Sequence, residues 1–281
     1  MRTALINNFK TAVLLGALTG IIVGVAAMFG QQFVLPALVL AGLLNFGSWF
    51  FSDRVAIAAM RGREVDAASG GELYRMVDEL RRRAGLPMPR VYVCPQQAPN
   101  AFATGRSPRH AAVAVTQGAL AILNHDELRG VMAHELAHVK NRDTLISTVA
   151  ATAAGVLAML AQFAFYLGAM GGGRESPLGP LGAVLAVIVG AVGAALIRAA
   201  ISRSREFVAD AEGARIAGSP HGLVNALRKL DALSGRVPMQ QPNPAQNSLF
   251  IVEPLTGGRA LTSLFATHPP TEARIAALLG G

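Results

Sequence analysis

Four long uncharged runs constrain this chain more than any other feature. Thr11–Gly30, Phe33–Phe51, Thr144–Gly173 and Ser176–Ile197, of 20, 19, 30 and 22 residues, contain no Asp, Glu, Lys or Arg. At about 1.5 Å per residue each, as a helix, can cross a hydrocarbon layer roughly 30 Å thick. With 52% apolar and only 15% charged residues, the 281-residue chain holds more apolar side chains than a water-facing globule of this size buries. Only Gln31 and Gln32 separate the first two runs, and only Arg174 and Glu175 the last two. Each couple therefore predicts a hairpin.

The expected fold is a mainly α integral membrane protein with four transmembrane helices in two hairpins and an α+β domain containing a small β-sheet. The first hairpin takes residues 1–51 and the second 144–197, which leaves 52–143 and 198–281 for that domain. Those two pieces are long enough together to bury a core. A cleaved signal peptide is the competing reading of the N-terminus. The first run exceeds the usual length of such a segment, however, and a second run follows at once.

The net charge of +8 does not point to nucleic acid. If the runs form two hairpins, 24 of the 25 Lys and Arg residues share one side of the membrane and only Arg174 lies opposite. The positive-inside rule then places both termini and the polar domain in the cytoplasm, with the chain multi-pass in the cell (inner) membrane. The run Arg81-Arg82-Arg83 has no interleaved aromatic residues and reads as a solvated helix face or a contact to anionic lipid. The single Cys94 excludes an intramolecular disulfide and a cysteine-rich metal site, and reads as a buried thiol.

In the polar pieces, Gly70–Ala84 predicts an amphipathic helix closed by Gly85 and Pro87. Arg90–Cys94 and Ala111–Thr116 predict strands, with Asn100–Gly105 an edge strand or a loop. From Asn124 the pattern is helical and predicts one long helix running into the third apolar run. Val237–Asn247, rich in Pro, Gln and Asn, predicts a loop or a partly disordered insertion.

The sharpest chemical feature is His134-Glu135-Leu136-Ala137-His138. Two histidines four residues apart share a helix face and can reach one zinc ion, while Glu135 flanks the open coordination position. A catalytic zinc needs a third protein ligand, and Glu206, just past the fourth run, supplies a candidate. Asp210, one turn later, can accept the free N–H of a ligating imidazole, His134 for choice. The competing reading has Glu206 and Asp210 pairing with Arg203, Arg205 or Lys229 on a solvated helix. Both half-sites lie close in sequence to the ends of the second hairpin, which predicts a zinc site roughly 10 Å from the membrane surface.

The His134–His138 motif, the segments Ser202–Asp210 and Pro99–Gly105, and the tail His268–Ile275 together resemble the HtpX family of heat-shock-associated membrane zinc metalloproteases. The order and spacing of these motifs and the two apolar hairpins match over nearly the whole chain; Val237–Leu264 matches least. The resemblance implies a zincin-like catalytic domain and a gluzincin-type endopeptidase, related to CAAX prenyl-protein peptidases and working in quality control of membrane proteins. It implies His134, His138 and Glu206 as ligands of one zinc ion per chain, with Glu135 as general base. Its substrates would be membrane proteins or unfolded polypeptides.

The oxyanion formed during hydrolysis needs a donor. His268 is the candidate, with Arg274 a second and more distant one, and each has a purely structural alternative. Asn100, Ala101 and Phe102 lie in a segment that can pair with an extended substrate, or that is an ordinary edge protected by Arg106 and Arg109. His110, His125 and His221 lack ligand-like spacing. A proteolytically silent membrane scaffold or chaperone-like binder is the alternative function, but a scaffold has no use for a base beside an open metal position.

Overall fold

A computed structural model describes residues 2–28, 30–146, 149, 203–234 and 269–280. Most of the third apolar run, all of the fourth, the 237–247 segment and His268 lie outside the described residues. Helix α1 (Arg2–Met28) and helix α2 (Val34–Phe50) form the expected first hairpin, joined through Gly30 and a single 3-10 turn, Gln31–Phe33. Gly30 sits at φ 127, where a side chain would be strained. Leu18 and Ile22 of α1 bury against Ala37 and Ala41 of α2, whose small side chains let the helices approach closely. The Asn45 amide ties the pair by donating to Leu15 O at 3.0 Å and Thr19 Oγ1 at 2.8 Å. The outer faces stay apolar and exposed at Val13, Leu35, Leu38, Val39, Leu43 and Phe46, as a lipid-facing surface requires.

Among the described residues, α1 alone is long and apolar enough to cross a membrane, over the 23 residues Leu5–Ala27. The second apolar helical segment, Gln31–Gly47, is shorter. The end of α2 carries Trp49 and Phe50, with the Arg106 guanidinium 5.4 and 4.6 Å from their ring centroids. Arg106 Nη1 also donates to Phe50 O at 2.9 Å. That grouping of aromatic rings and a cation suits the boundary between lipid and water.

The domain behind the hairpin begins with α3 (Ser52–Ala59) and β1 (Arg63–Val65), followed by α4 (Gly71–Ala84), β2 (Arg90–Cys94), β3 (Ala101–Gly105) and β4 (Ala111–Thr116). Two helices follow, α5 (Gln117–Ile122) and α6 (His125–Asn141); α7 (Arg203–Ala217), α8 (His221–Ser234) and α9 (Thr271–Leu279) come later in the chain. The strands form one mixed sheet in the order β1-β2-β4-β3, parallel between β2 and β4 and antiparallel elsewhere. The expected strands at 90–94 and 111–116 are therefore present, and Ala101–Gly105 is a strand that lies at the edge of the sheet among the described residues. The short β1 has too few residues to show a periodicity.

Every residue of β4 is buried, because both faces of the sheet are covered. Val113 and Val115 face the main core with Val91, against Val77 and Leu80 of α4 and Val131 and Leu136 of α6. Ala112 and Ala114 face a smaller core with Tyr92, Cys94 and Phe102 beneath Ile57 and Met60. Cys94 is fully buried, as expected, and burial pushes its thiol up to about 11. Arg81, Arg82 and Arg83 pair with Asp78 and Glu79 on their own helix, and Arg83 Nη1 also donates to Ala217 O at 3.3 Å.

Helix α6 is the centre of the domain. Asn124 and Glu127 close a reciprocal capping box at its start. The long helix predicted into the third run does not form as expected. Arg142 adopts φ 59 and ends α6, and helix resumes at Asp143. No Gly or Pro announces this break. A non-glycine residue in the left-handed region costs roughly 1–2 kcal/mol, so surrounding contacts must hold it there. Helices α7 and α8 press on α6 through glycines. A Cβ on Gly213 would lie 2.8 Å from His134 Cα, and one on Gly130 would lie 2.3 Å from Leu223 N.

Candidate metal centre

His134 and His138, one turn apart on α6, hold their rings edge to face with centroids 4.6 Å apart. Their Nε2 atoms are 3.1 Å from each other. The close α6–α7 approach at Gly213 brings in Glu206, whose Oε2 is 3.6 Å from His134 Nε2 and whose Oε1 is 3.6 Å from His138 Nε2. One ligand atom from each of the three residues lies within 4.8 Å of the other two.

Each imidazole turns its other nitrogen to a carboxylate. Asp210 Oδ1 lies 2.9 Å from His134 Nδ1, and Asp143 Oδ2 lies 3.1 Å from His138 Nδ1. A carboxylate there favours the tautomer with the proton on Nδ1, which leaves a lone pair on each Nε2. Two lone pairs facing each other beside a carboxylate repel unless something electropositive sits among them. Ligand atoms about 2.0–2.1 Å from a tetrahedral zinc are about 3.3 Å apart, and the observed separations of 3.1, 3.6 and 3.6 Å bracket that value. The residues present therefore fit a zinc ion.

The charges fit as well. Glu135, Glu206, Asp143 and Asp210 face the guanidiniums of Arg205 and Arg274, so neutral imidazoles leave an excess of two negative charges when the carboxyl groups are ionised. Without a metal, a proton is drawn in instead. Burial pushes the His138 imidazole down, but the Glu206 charge and the Asp143 carboxylate outweigh it and raise His138 to about 9. Asp210 is likewise pushed up by burial, but the Arg274 fork and His134 bring it down to about 2.

Arg274 is buried on α9, donating from Nε to Asp210 Oδ2 at 2.8 Å and from Nη2 to Asp210 Oδ1 at 2.6 Å, with Nη2 also 3.9 Å from Glu206 Oε2. Its fork is thus engaged with the carboxylate behind His134. Lys229 pairs with Glu127 at 2.5 Å, remote from the Glu206 role that the solvated-helix reading gave it. Glu135 is also buried, and its charge raises both His138 and Arg274. His268 lies outside the described residues.

Asn100, Ala101 and Phe102 are all buried. Asn100 N donates to Thr116 Oγ1 at 2.8 Å, the Ala101 side chain faces the main core, and Phe102 faces the smaller one. What this segment can offer an extended peptide is main chain, since β3 is the edge of the sheet among the described residues. His110, His125 and His221 are exposed and take no part.

Sequence reasoning missed Asp143 and Asn7, and it gave Arg205 only as a partner of Glu206 or Asp210 on a solvated helix. Arg205 Nη1 lies 3.9 Å from Asp143 Oδ1, and burial lowers the pKa of its guanidinium. Asp143 stands five residues past His138 and could have been found as the next carboxylate after the motif. Asn7 is 136 residues away from it and had no local signature.

Comparison with known proteins gives the same direction. The model of Peptidase family M48 matches residues 67–280. The chain is similar to "Protease HtpX homolog" of Desulfatibacillum aliphaticivorans, at 51% identity over 98% of this chain and 89% of that protein. It is similar to the protein of the same name from Syntrophotalea carbinolica, at 49% over 96% of each, and from Thermococcus kodakarensis, at 48% over 96% of this chain and 94% of the other. Among solved structures, the crystal structure of S. mikatae Ste24p shares the fold with a TM-score of 0.54 at 16% identity, over 99% of this chain and 67% of that one.

Proposed function

The chain belongs to peptidase family M48 and within it to the HtpX proteases, which makes it a metalloendopeptidase, and we propose that it cleaves misfolded or damaged membrane proteins at the cytoplasmic face of the inner membrane. His134, His138 and Glu206 are its proposed ligands for one zinc ion. The observation that carries this assignment is the pair of facing Nε2 atoms, 3.1 Å apart beside Glu206, with both Nδ1 atoms turned to carboxylates. Zinc in such a site lowers the pKa of bound water toward 7 and polarises the scissile carbonyl.

Glu135 takes a proton from the attacking water and returns it to the leaving amine. Its place on α6 between the two proposed histidine ligands, and its burial beside them, support that role. Asp210 orients His134, and Arg274 holds Asp210 in place through its two-point fork. His268 is the proposed donor to the oxyanion. The outer edge of β3, beyond which no strand lies among the described residues, is the proposed main-chain docking edge for an extended substrate. Pairing by main chain tolerates many sequences, which suits clearance of damaged proteins.

The α1–α2 hairpin, together with the third and fourth apolar runs, would make the chain multi-pass. The placement of 24 of its 25 Lys and Arg residues on one side of such a topology supports a cytoplasmic site. The test is zinc-dependent degradation of a misfolded membrane protein by the detergent-purified chain and by Glu135→Gln side by side. Glu135→Gln should keep its zinc and lose cleavage. Retained proteolysis in that variant overturns the assignment, and no cleavage by the wild type with zinc bound favours a silent scaffold.

A further inference from the structure

We propose that Asn7, on the membrane helix α1, is a positioning residue of the metal centre, acting through Asp143 on His138. The inference rests on the reading of His138 as a metal ligand. Asn7 is 2% exposed although it lies near the start of a helix whose later residues face lipid. Its Nδ2 donates to Asp143 Oδ1 at 2.6 Å and to Asn141 O at 3.0 Å. The other oxygen of that same carboxylate, Oδ2, is the one 3.1 Å from His138 Nδ1.

One amide thereby does two things. It supplies a donor to the carbonyl of Asn141, the last residue of α6. It also hydrogen-bonds the Asp143 oxygen that has the Arg205 guanidinium 3.9 Å away, and so helps keep the second oxygen aimed at the imidazole. The break at Arg142 is what swings Asp143 back to receive both contacts, and the pair gives that strained backbone its reason.

Below this point Leu14 of α1 packs on Leu145, Ile146 and Val149, so α1 runs beside the start of the third apolar run. The N-terminal helix is then part of the active centre as well as an anchor. Outer partners of ligating histidines set the ring orientation and affinity of a metal site. Asn7 stands one step further out, so its removal should act on zinc and turnover while leaving substrate binding alone.

The experiment uses the full chain in detergent, with zinc affinity measured by chelator competition and kcat and KM measured at saturating zinc. Asn7→Leu should weaken zinc by about tenfold, the low end for an outer-shell partner, and lower kcat with KM unchanged. Asn7→Asp should be worse, because it sets one carboxylate against another. The exchange Asn7→Asp with Asp143→Asn should recover part of the loss, since the amide introduced at position 143 could donate to the new carboxylate and still accept from His138. Asn45→Leu is the control: it removes a polar tie from the same hairpin with no route to Asp143, and should leave zinc affinity as it was.

Unchanged zinc affinity in Asn7→Leu overturns the inference, and so does an equal loss in Asn45→Leu. If Asn7→Leu does not fold, the exchange decides: a double variant no better than Asn7→Asp alone also overturns it. A wild-type chain that binds no zinc defeats the underlying metal reading instead, so the two failures are told apart.

Discussion

Gly213→Ala separates stability from catalysis in this molecule. Gly213 lies on the same face of α7 as Asp210 and Glu206, three and seven residues earlier. An added Cβ would stand 2.8 Å from Cα and 2.9 Å from N of His134, both main-chain atoms that cannot rotate away. Carbon contacts settle at about 3.5–4.0 Å, so α7 must retreat from α6 by roughly 0.7 Å or more. Overpacking of that kind costs about 1–3 kcal/mol, and alanine returns about 1 kcal/mol over glycine within a helix. The net destabilisation should therefore be small, about 0–2 kcal/mol. Catalysis is less forgiving: the retreat carries Glu206 and Asp210 away from the histidines, and a misplacement of about 1 Å can cost about 100-fold. Thermal unfolding, zinc content and kcat/KM should be measured on the same preparation. The expected result is a nearly normal Tm with kcat/KM down by tens of fold and weaker zinc binding. Activity within about twofold of wild type would refute the argument that this close approach sets the ligand geometry.

Arg274→Met should destabilise the chain by about 3–5 kcal/mol in unfolding experiments, because it leaves the Asp210 carboxylate buried without its fork, and adding Asp210→Asn should recover much of the loss. The wild-type pair also has a pH signature. Asp210 is held at about 2 against an ordinary 3.8, so its contribution, about 2 kcal/mol, is complete above the ordinary value and is lost as pH falls from there toward 2. Arg274→Met should flatten that acid-side loss, and an unaltered acid profile would count against the pairing. The topology is checked by single cysteines at Gln32 and Glu272, using the buried Cys94 as a silent background. Position 32 should react with a membrane-impermeant thiol reagent from outside the cell and position 272 only after lysis, whereas labelling of both from one side breaks the two-hairpin topology.

What could be read from the sequence was whatever repeats or sits within one helical turn. The apolar runs, the 90–94 and 111–116 strands and the His134–His138 pair are set by local periodicity, and Glu206 followed from the count of ligands that zinc needs. The end of α6 was not legible. Arg142 has no special propensity for φ 59, and it takes that conformation because Asp143 is drawn to Asn7 and His138, a demand made by residues far apart in sequence. Arg274 was recognisable as part of a motif, but its fork onto Asp210 depends on how α9 packs against α7. The 100–105 segment read as either an edge strand or a loop, and only its pairing with β4, with Phe102 turned into the smaller core, shows that it is a strand.

Elemental analysis of the native full-length chain, purified without added metal, beside Glu206→Ala decides whether the site is what its geometry implies. About one zinc per wild-type chain and a large loss in the variant are expected. A wild-type chain without stoichiometric metal, or a Glu206→Ala chain that holds as much as the wild type, would contradict it.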